Sequence, residues 1–116
     1  MLSLSSKRRY FLYSGATDMR KGFSGLGGLV RQHAGHSLMS GDAFIFVNRR
    51  RDRLKLLLWE PTGFALYYKR LEQGTFELPE FGGQESLELG WAELAMVLEG
   101  IEIKSAKRRK RYGKSC

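Results

Sequence analysis

The chain has 116 residues, is 42% hydrophobic and 12% aromatic, and carries a formal net charge of +8. That composition excludes a disordered or low-complexity chain and fits one domain with a modest core. One cysteine, Cys116, excludes an internal disulfide framework, and no apolar run approaches the ~20 residues that span a bilayer or forms a secretory leader, so no membrane partner and a reducing, cytoplasmic setting are expected.

Tyr10, Phe11, Leu12 and Tyr13 form a β-prone aromatic run closed by Gly15, which predicts a short strand. Thr17 and Asp18 carry side-chain oxygens suited to capping the first free N–H groups of a helix. Behind them Met19, Phe23, Leu26 and Val30 recur at spacings of four, three and four, one face of a helix that should stop near Gly35. Gly22, Gly25, Gly27 and Gly28 weaken that helix by up to ~1 kcal/mol each relative to alanine, and their expected use is close approach to a sheet. Residues 43–47 are a continuous β-branched and aromatic run, read as a buried strand. Leu54, Leu56 and Leu58 then alternate with Arg53, Lys55 and Leu57, a strand with one strongly apolar face. Pro61, Thr62 and Gly63 make a turn. Residues 64–71 form the next strand, with Phe64, Leu66 and Tyr68 on one side.

Short links join these three strands, so an antiparallel meander is the economical topology. Loops at 73–74 and 79–83 bracket a short segment at 75–78, and residues 86–89 are a candidate further strand. Trp91, Leu94, Ala95, Leu98 and Ile101 repeat at helical spacing, with Gly100 marking the end. The expected class is α+β: an antiparallel meander sheet packed with two helices, in the order β-α-β-β-β-(β)-α. Residues 1–103 form a single domain in this reading, and residues 104–116 form a basic tail, disordered when free.

Charge is segregated along the chain. Residues 1–71 hold 13 Lys and Arg against 4 Asp and Glu; residues 72–103 hold 8 acids and no Lys or Arg; residues 104–116 hold 7 basic residues and no acid. The plain interpretation is that a basic protein needs acidic surface for solubility. The sharper one is two faces with two partners, a polyanion on one and a basic protein surface on the other.

The strongest candidate for polyanion contact is the connection between the two buried strands. Arg49, Arg50, Arg51 and Arg53 fall within five positions there, and guanidinium forks suit phosphate oxygens better than ammonium groups do. Asp52 should tether a neighbour and shape the turn, and Lys55 shares a strand face with Arg53. Such a run is more often a solvated charge cluster; four arginines in one connection favour phosphate. Lys69 and Arg70 close the next strand, either beside Arg53 or Lys55 or at the opposite rim. Arg8, Arg9, Arg20 and Lys21 add positive charge near the first helix, and Lys107 to Arg111 resemble an unspecific nucleic-acid-binding tail. Tyr10, Tyr13, Tyr67 and Tyr68 could stack on bases, although such residues are more often amphipathic sheet positions.

Catalytic chemistry finds no support. His33 and His36 form an H-x-x-H pair, but there is no third histidine and Cys116 is remote, whereas zinc normally takes at least three protein ligands. Asp18, Asp42, Asp52 and Glu60 are too scattered for a two-metal carboxylate cluster, and the glycines spell neither a dinucleotide fingerprint nor a P-loop. No catalytic residue, no metal site and no cofactor is expected.

Thr17-Asp18-Met19-Arg20-Lys21-Gly22-Phe23 resembles the opening signature of the TnpB-type accessory protein of the insertion-sequence-sixty-six family of bacterial transposable elements. The run Asn48-Arg49-Arg50-Arg51-Asp52-Arg53-Leu54-Lys55-Leu56-Leu57, followed by Trp59-Glu60 and Gly63-Phe64, continues the resemblance. So do the run from Tyr68 to Phe76 and the segments Trp91-Ala92-Glu93-Leu94 and Leu98-Glu99-Gly100-Ile101. Together these ordered motifs cover residues 8–103, leaving the tail outside. The resemblance implies an auxiliary role in transposition beside a separate, larger transposase that holds the catalytic acids, and it supplies no catalytic residues to carry over.

Two functions follow as expectations. The leading one is DNA binding, at the element ends, in support of the transposase. It would use Arg49, Arg50, Arg51, Arg53 and Lys55, with help from Arg20, Lys21, Lys69 and Arg70. The alternative is a protein-interaction adaptor that docks on the transposase through the acidic segment at Glu85, Glu88, Trp91 and Glu93, without touching DNA.

Overall fold

The aromatic run after Arg9 becomes strand β1, Tyr10–Ala16, which continues through Gly15. The computed structural model describes residues 7–34, 41–60 and 62–99. Helix α1 is Phe23–Leu29, prolonged by a five-residue π-helical turn, Val30–Ala34. Strands β2, Ala43–Val47, β3, Arg53–Glu60, and β4, Gly63–Arg70, follow in succession. Strand β5, Ser86–Leu89, and helix α2, Trp91–Glu99, complete the described chain.

The class is α+β, and the five strands form one sheet in the order β4-β3-β2-β1-β5. Strands β2, β3 and β4 pair antiparallel as the expected meander, and β5 pairs antiparallel with β1. The sheet is nevertheless mixed, because β1 runs parallel to β2, with Tyr10 beside Ala43 and Leu12 beside Ile45. The cause is the helical segment between them: a crossover of this length lets the chain re-enter beside β1 in the same direction, which a tight turn cannot do.

Alternation along the strands makes two cores. Tyr10, Leu12, Ile45, Leu54 and Leu56 face α2 and pack with Leu94 and Val97, and Phe76 from the loop after β4 plugs the same layer. Phe11, Phe44, Phe46 and Leu57 face α1 and pack with Leu26 and Val30. Strand β2 is buried at all five positions, as a continuous apolar run in a central strand requires.

The start of α1 departs from expectation. Thr17 and Asp18 do not cap it; Gly22 occupies the N-cap position, with no side-chain cap bond. The Asp18 carboxylate accepts instead from the Arg20 backbone N–H at 2.9 Å, and the Lys21 N–H donates to the Asp18 carbonyl at 3.1 Å. The same short acceptor that could cap a helix here closes a local turn, so Met19 packs on the α1-side core from outside the helix. The glycines also differ from their expected use. Among the described residues, a Cβ at Gly22 or Gly28 would meet nothing within 4 Å, and one at Gly25 would meet first the side chain of Lys21, so none of the three serves close approach to the sheet. Gly27 is buried. Gly35, Gly100, Ile101 and residues 104–116 lie outside the described residues.

Helix α2 starts on Gly90, whose N–H donates to Glu93 Oε1 at 3.0 Å while the Leu94 N–H returns to the Gly90 carbonyl at 2.9 Å. This is half of a capping box, with an acid placed where the helix dipole favours it. Among the described residues, no helix is long and apolar enough to cross a membrane.

Candidate nucleic-acid interface

Because β1 and β2 are parallel, their carboxyl ends leave the sheet at the same rim. That rim receives the 17–21 turn after β1 and the 48–52 turn after β2. Thr17 marks the junction: it is buried, and its N–H donates to the Val47 carbonyl at 2.9 Å.

The 48–52 turn is built around Asn48 and Asp52. Asn48 Oδ1 accepts from the Asp52 and Arg53 N–H groups at 3.1 and 3.0 Å, and Asn48 Nδ2 donates to Asp52 Oδ1 at 2.8 Å. Asp52 thus tethers a neighbour, and the neighbour is Asn48. The Arg51 N–H closes onto the Asn48 carbonyl at 3.0 Å. Arg51 sits at φ 61°, a left-handed conformation that costs a non-glycine residue about 1–2 kcal/mol. It is held from both sides, because its own carbonyl accepts from the Phe76 N–H at 2.6 Å. Arg49, Arg50 and Arg51 are all exposed.

The β3–β4 register decides where Lys69 and Arg70 lie. Arg53 stands directly opposite Arg70, while Lys69 is opposite Leu54 on the other face. There the Lys69 ammonium donates to the Leu98 carbonyl at 2.6 Å and ties β4 to α2. Arg70 has an acidic neighbour in Glu72 at 3.8 Å, with both side chains well exposed, a geometry that contributes little.

Lys55 is not displayed. It is buried, and its ammonium donates to the carbonyls of Met19 and Lys21 at 2.8 and 2.9 Å. It also stands 4.8 Å from the ring centroid of Tyr68. Its work is to hold the 17–21 turn against the sheet, which takes it out of the surface set. Arg20 lies in that turn and is bound to Asp18 at 2.7 Å. The hydrogen bonds from Arg20, side chain first and backbone second, hold the Asp18 carboxyl down at about 2, and the same contact raises the Arg20 guanidinium. Lys21 is exposed beside it.

These elements enclose a concave basic face. A depression of about 500 Å³ is lined by Asp18 and Arg20, by Arg49 and Arg50, and by Arg53 and Tyr68. A second hollow of about 250 Å³ adjoins it and is lined by Arg53, Tyr68 and Arg70. Arg51 points elsewhere, toward a recess of about 110 Å³ with Tyr13, Gly15 and Leu78. Among the described residues, Arg49, Arg50 and Arg53 make no ion pair. Tyr68, which sequence patterning leaves among four equivalent tyrosines, is the one on this face; Tyr10 is buried, and Tyr13 and Tyr67 are half-buried. Its signal was its place on the Arg70 face of the strand, two residues before that arginine.

The residues proposed for protein docking do not form one patch. Glu88 lies opposite Phe11 on the α1 side of the sheet, whereas Trp91 and Glu93 open α2 on the other side. Trp91 is 44% exposed, with its ring 6.0 Å from Tyr10, and Glu93 is engaged at the helix start. Glu85 is exposed just before β5, at the strand end away from α2, its carbonyl accepting from the Ser14 N–H at 2.8 Å. The H-x-x-H pair falls outside the description: His36 and the side chain of His33 are not among the described residues. Among those that are, no group of three or more His, Cys, Asp or Glu could hold a metal.

Comparison with known proteins gives a family and two relatives. The family described as IS66 Orf2 like protein matches residues 8–108. The chain is 29% identical over 109 residues to the uncharacterized protein y4jC of Sinorhizobium fredii, covering 94% of this chain and 92% of that one. It is 31% identical over 102 residues to the uncharacterized protein y4hO of the same organism, covering 88% of each. No solved structure matches.

Proposed function

The chain belongs to the IS66 Orf2-like family, and from that premise we propose that it is a non-catalytic accessory protein of insertion-sequence transposition. In this reading it binds DNA at the element ends through the basic depression and assists a separate transposase in the cytoplasm. The carrying observation is the concentration of Arg49, Arg50 and Arg53, none ion-paired among the described residues, around one depression, with Arg70 directly across from Arg53. Two like charges directly opposite on a sheet destabilise it, and a phosphate between them removes that penalty.

Guanidinium groups aimed into one concavity hold phosphate oxygens in forked pairs and release condensed counterions. Four such contacts predict log K falling against log salt with a slope of about −3 to −4 on duplex DNA. Gel-shift titration with element-end and random duplexes at several salt concentrations tests this. Binding with that slope, lowered by about 1 for each arginine changed to glutamine, supports the reading. No shift even at low salt would sink it.

A second reading has one observation in its favour. Trp91 is 44% exposed at the head of α2, a large aromatic anchor of the kind that carries binding energy at interfaces. Docking on the transposase would fail on Trp91→Ala in a pull-down with DNA removed. Retention of the complex by Trp91→Ala and by reversal of Glu85 and Glu88 would reject this surface.

A further inference from the structure

The smaller hollow adds a ligand class to the DNA-binding reading, on which this step rests. Its lining is Arg53, Tyr68 and Arg70, an aromatic ring beside two guanidinium side chains. All three share one face of the β3–β4 pair, with Arg53 across from Arg70 and Lys55 across from Tyr68. Tyr68 is 50% exposed. One face of its ring meets the Lys55 ammonium at 4.8 Å, and that ammonium is itself tied to two backbone carbonyls, which favours one orientation of the ring. A ring held in advance gives up little freedom when a flat ligand lands on it.

We propose that this hollow takes one unpaired base of a single-stranded DNA segment, stacked on Tyr68, with the flanking phosphates on Arg53 and Arg70. Duplex DNA would use the arginines but not the ring, because its base faces are already stacked on their neighbours. An unpaired strand offers both, a phosphate for each guanidinium and a free π-face for the tyrosine. The larger depression continues from Arg53 to Arg49 and Arg50, a path for the next phosphates of the same strand.

The test uses the full chain, with fluorescence anisotropy on a labelled thymidine homopolymer and on its duplex with the complementary strand, each at several salt concentrations. The single strand should bind more tightly than the duplex. Tyr68→Leu should lose roughly five- to a hundredfold in affinity for the single strand, while duplex affinity and both salt slopes hold. Tyr68→Phe, which keeps the ring, should bind the strand like the parent. Arg53→Gln should lower the salt slope on both DNAs. If Tyr68→Leu changes neither DNA, or weakens both equally, the stacking site is overturned while DNA binding stands. If the parent protein binds neither DNA, the DNA-binding reading fails and this one with it.

Discussion

A lysine alternating with leucines reads as a displayed charge, yet Lys55 is buried at the centre of the site's support. Its ammonium satisfies the carbonyls of Met19 and Lys21, so it fixes the turn that carries Asp18 and Arg20. Charge-assisted hydrogen bonds of this kind contribute about 1.5–3 kcal/mol each, partly offset by the desolvation of the ammonium. Lys55→Met keeps the packing volume and removes the donors; it should destabilise the fold by about 2 kcal/mol in urea denaturation. The salt slope for DNA should not change, because Lys55 meets no phosphate, and a slope reduced by a whole unit would return it to the binding set. The turn that Lys55 supports also has a pH signature. The Asp18 carboxyl lies at about 2 against an ordinary 3.8, chiefly through its hydrogen bond from Arg20. A depressed carboxyl contributes stability that is fully present above the ordinary value and is lost as pH falls through about 2. Carboxyl-carbon NMR should therefore show Asp18 ionised down to about pH 3, with Arg20→Gln moving its midpoint back toward the ordinary value; an Asp18 midpoint near 4 in the parent protein would contradict the pairing.

At the scale of elements, patterning carried furthest where one rule acts alone. The unbroken apolar run of β2 and the leucine alternation of β3 name a central strand and its two-sided neighbour without further help. Strand β1 was legible as a strand but not as a parallel one, since its partner depends on where the helical crossover returns, and period-2 alternation is silent on direction. That direction is what brings the 17–21 and 48–52 turns to one rim, so the assembly of the site was hidden with it. The pairing of Arg53 with Arg70 was hidden for a related reason: alternation fixes the face of each residue but not the register across the 60–63 turn. The head of α1 was misplaced because Asp18 can cap a helix or close a local turn with the same oxygen, and the turn prevails. What remains is a short, glycine-rich helix with room on it. A Cβ at Gly28 meets nothing within 4 Å among the described residues, so Gly28→Ala should stabilise the protein by about 0.5–1 kcal/mol through helix propensity alone, read as a higher denaturation midpoint. A loss of stability would mean that Gly28 meets something the described residues do not include.

Across the described residues, the charge segregation of the sequence becomes in part a separation in space, although Glu72 stays 3.8 Å from Arg70 and Arg9 feels the charge of Glu88. Strands β4 and β5 are the two edges of the sheet, and they carry Arg70 and Glu88 respectively. A ligand drawn to the arginine edge therefore keeps its phosphates away from the exposed acids at Glu85 and Glu88. We propose that the basic residues at 107–111, of which the family match reaches only Lys107 and Arg108, are a second source of attraction and act as a tail separate from the unit formed by residues 1–103. Changing Lys107, Arg108, Arg109, Lys110 and Arg111 to glutamine removes five charges and takes the net charge from +8 to +3. If the tail contributes only long-range attraction, duplex affinity should fall mainly through a slower association rate, with the largest effect at low salt. The preference for a single strand over a duplex should survive, because it resides in Tyr68 and its flanking arginines. Combined with Arg53→Gln, the free-energy losses should add, as they do for sites that share no partner. Strong non-additivity in equilibrium titrations of the single and combined variants would instead show that tail and depression grip the same stretch of DNA as one surface, and the division of the chain at residue 103 would then fail as a functional boundary.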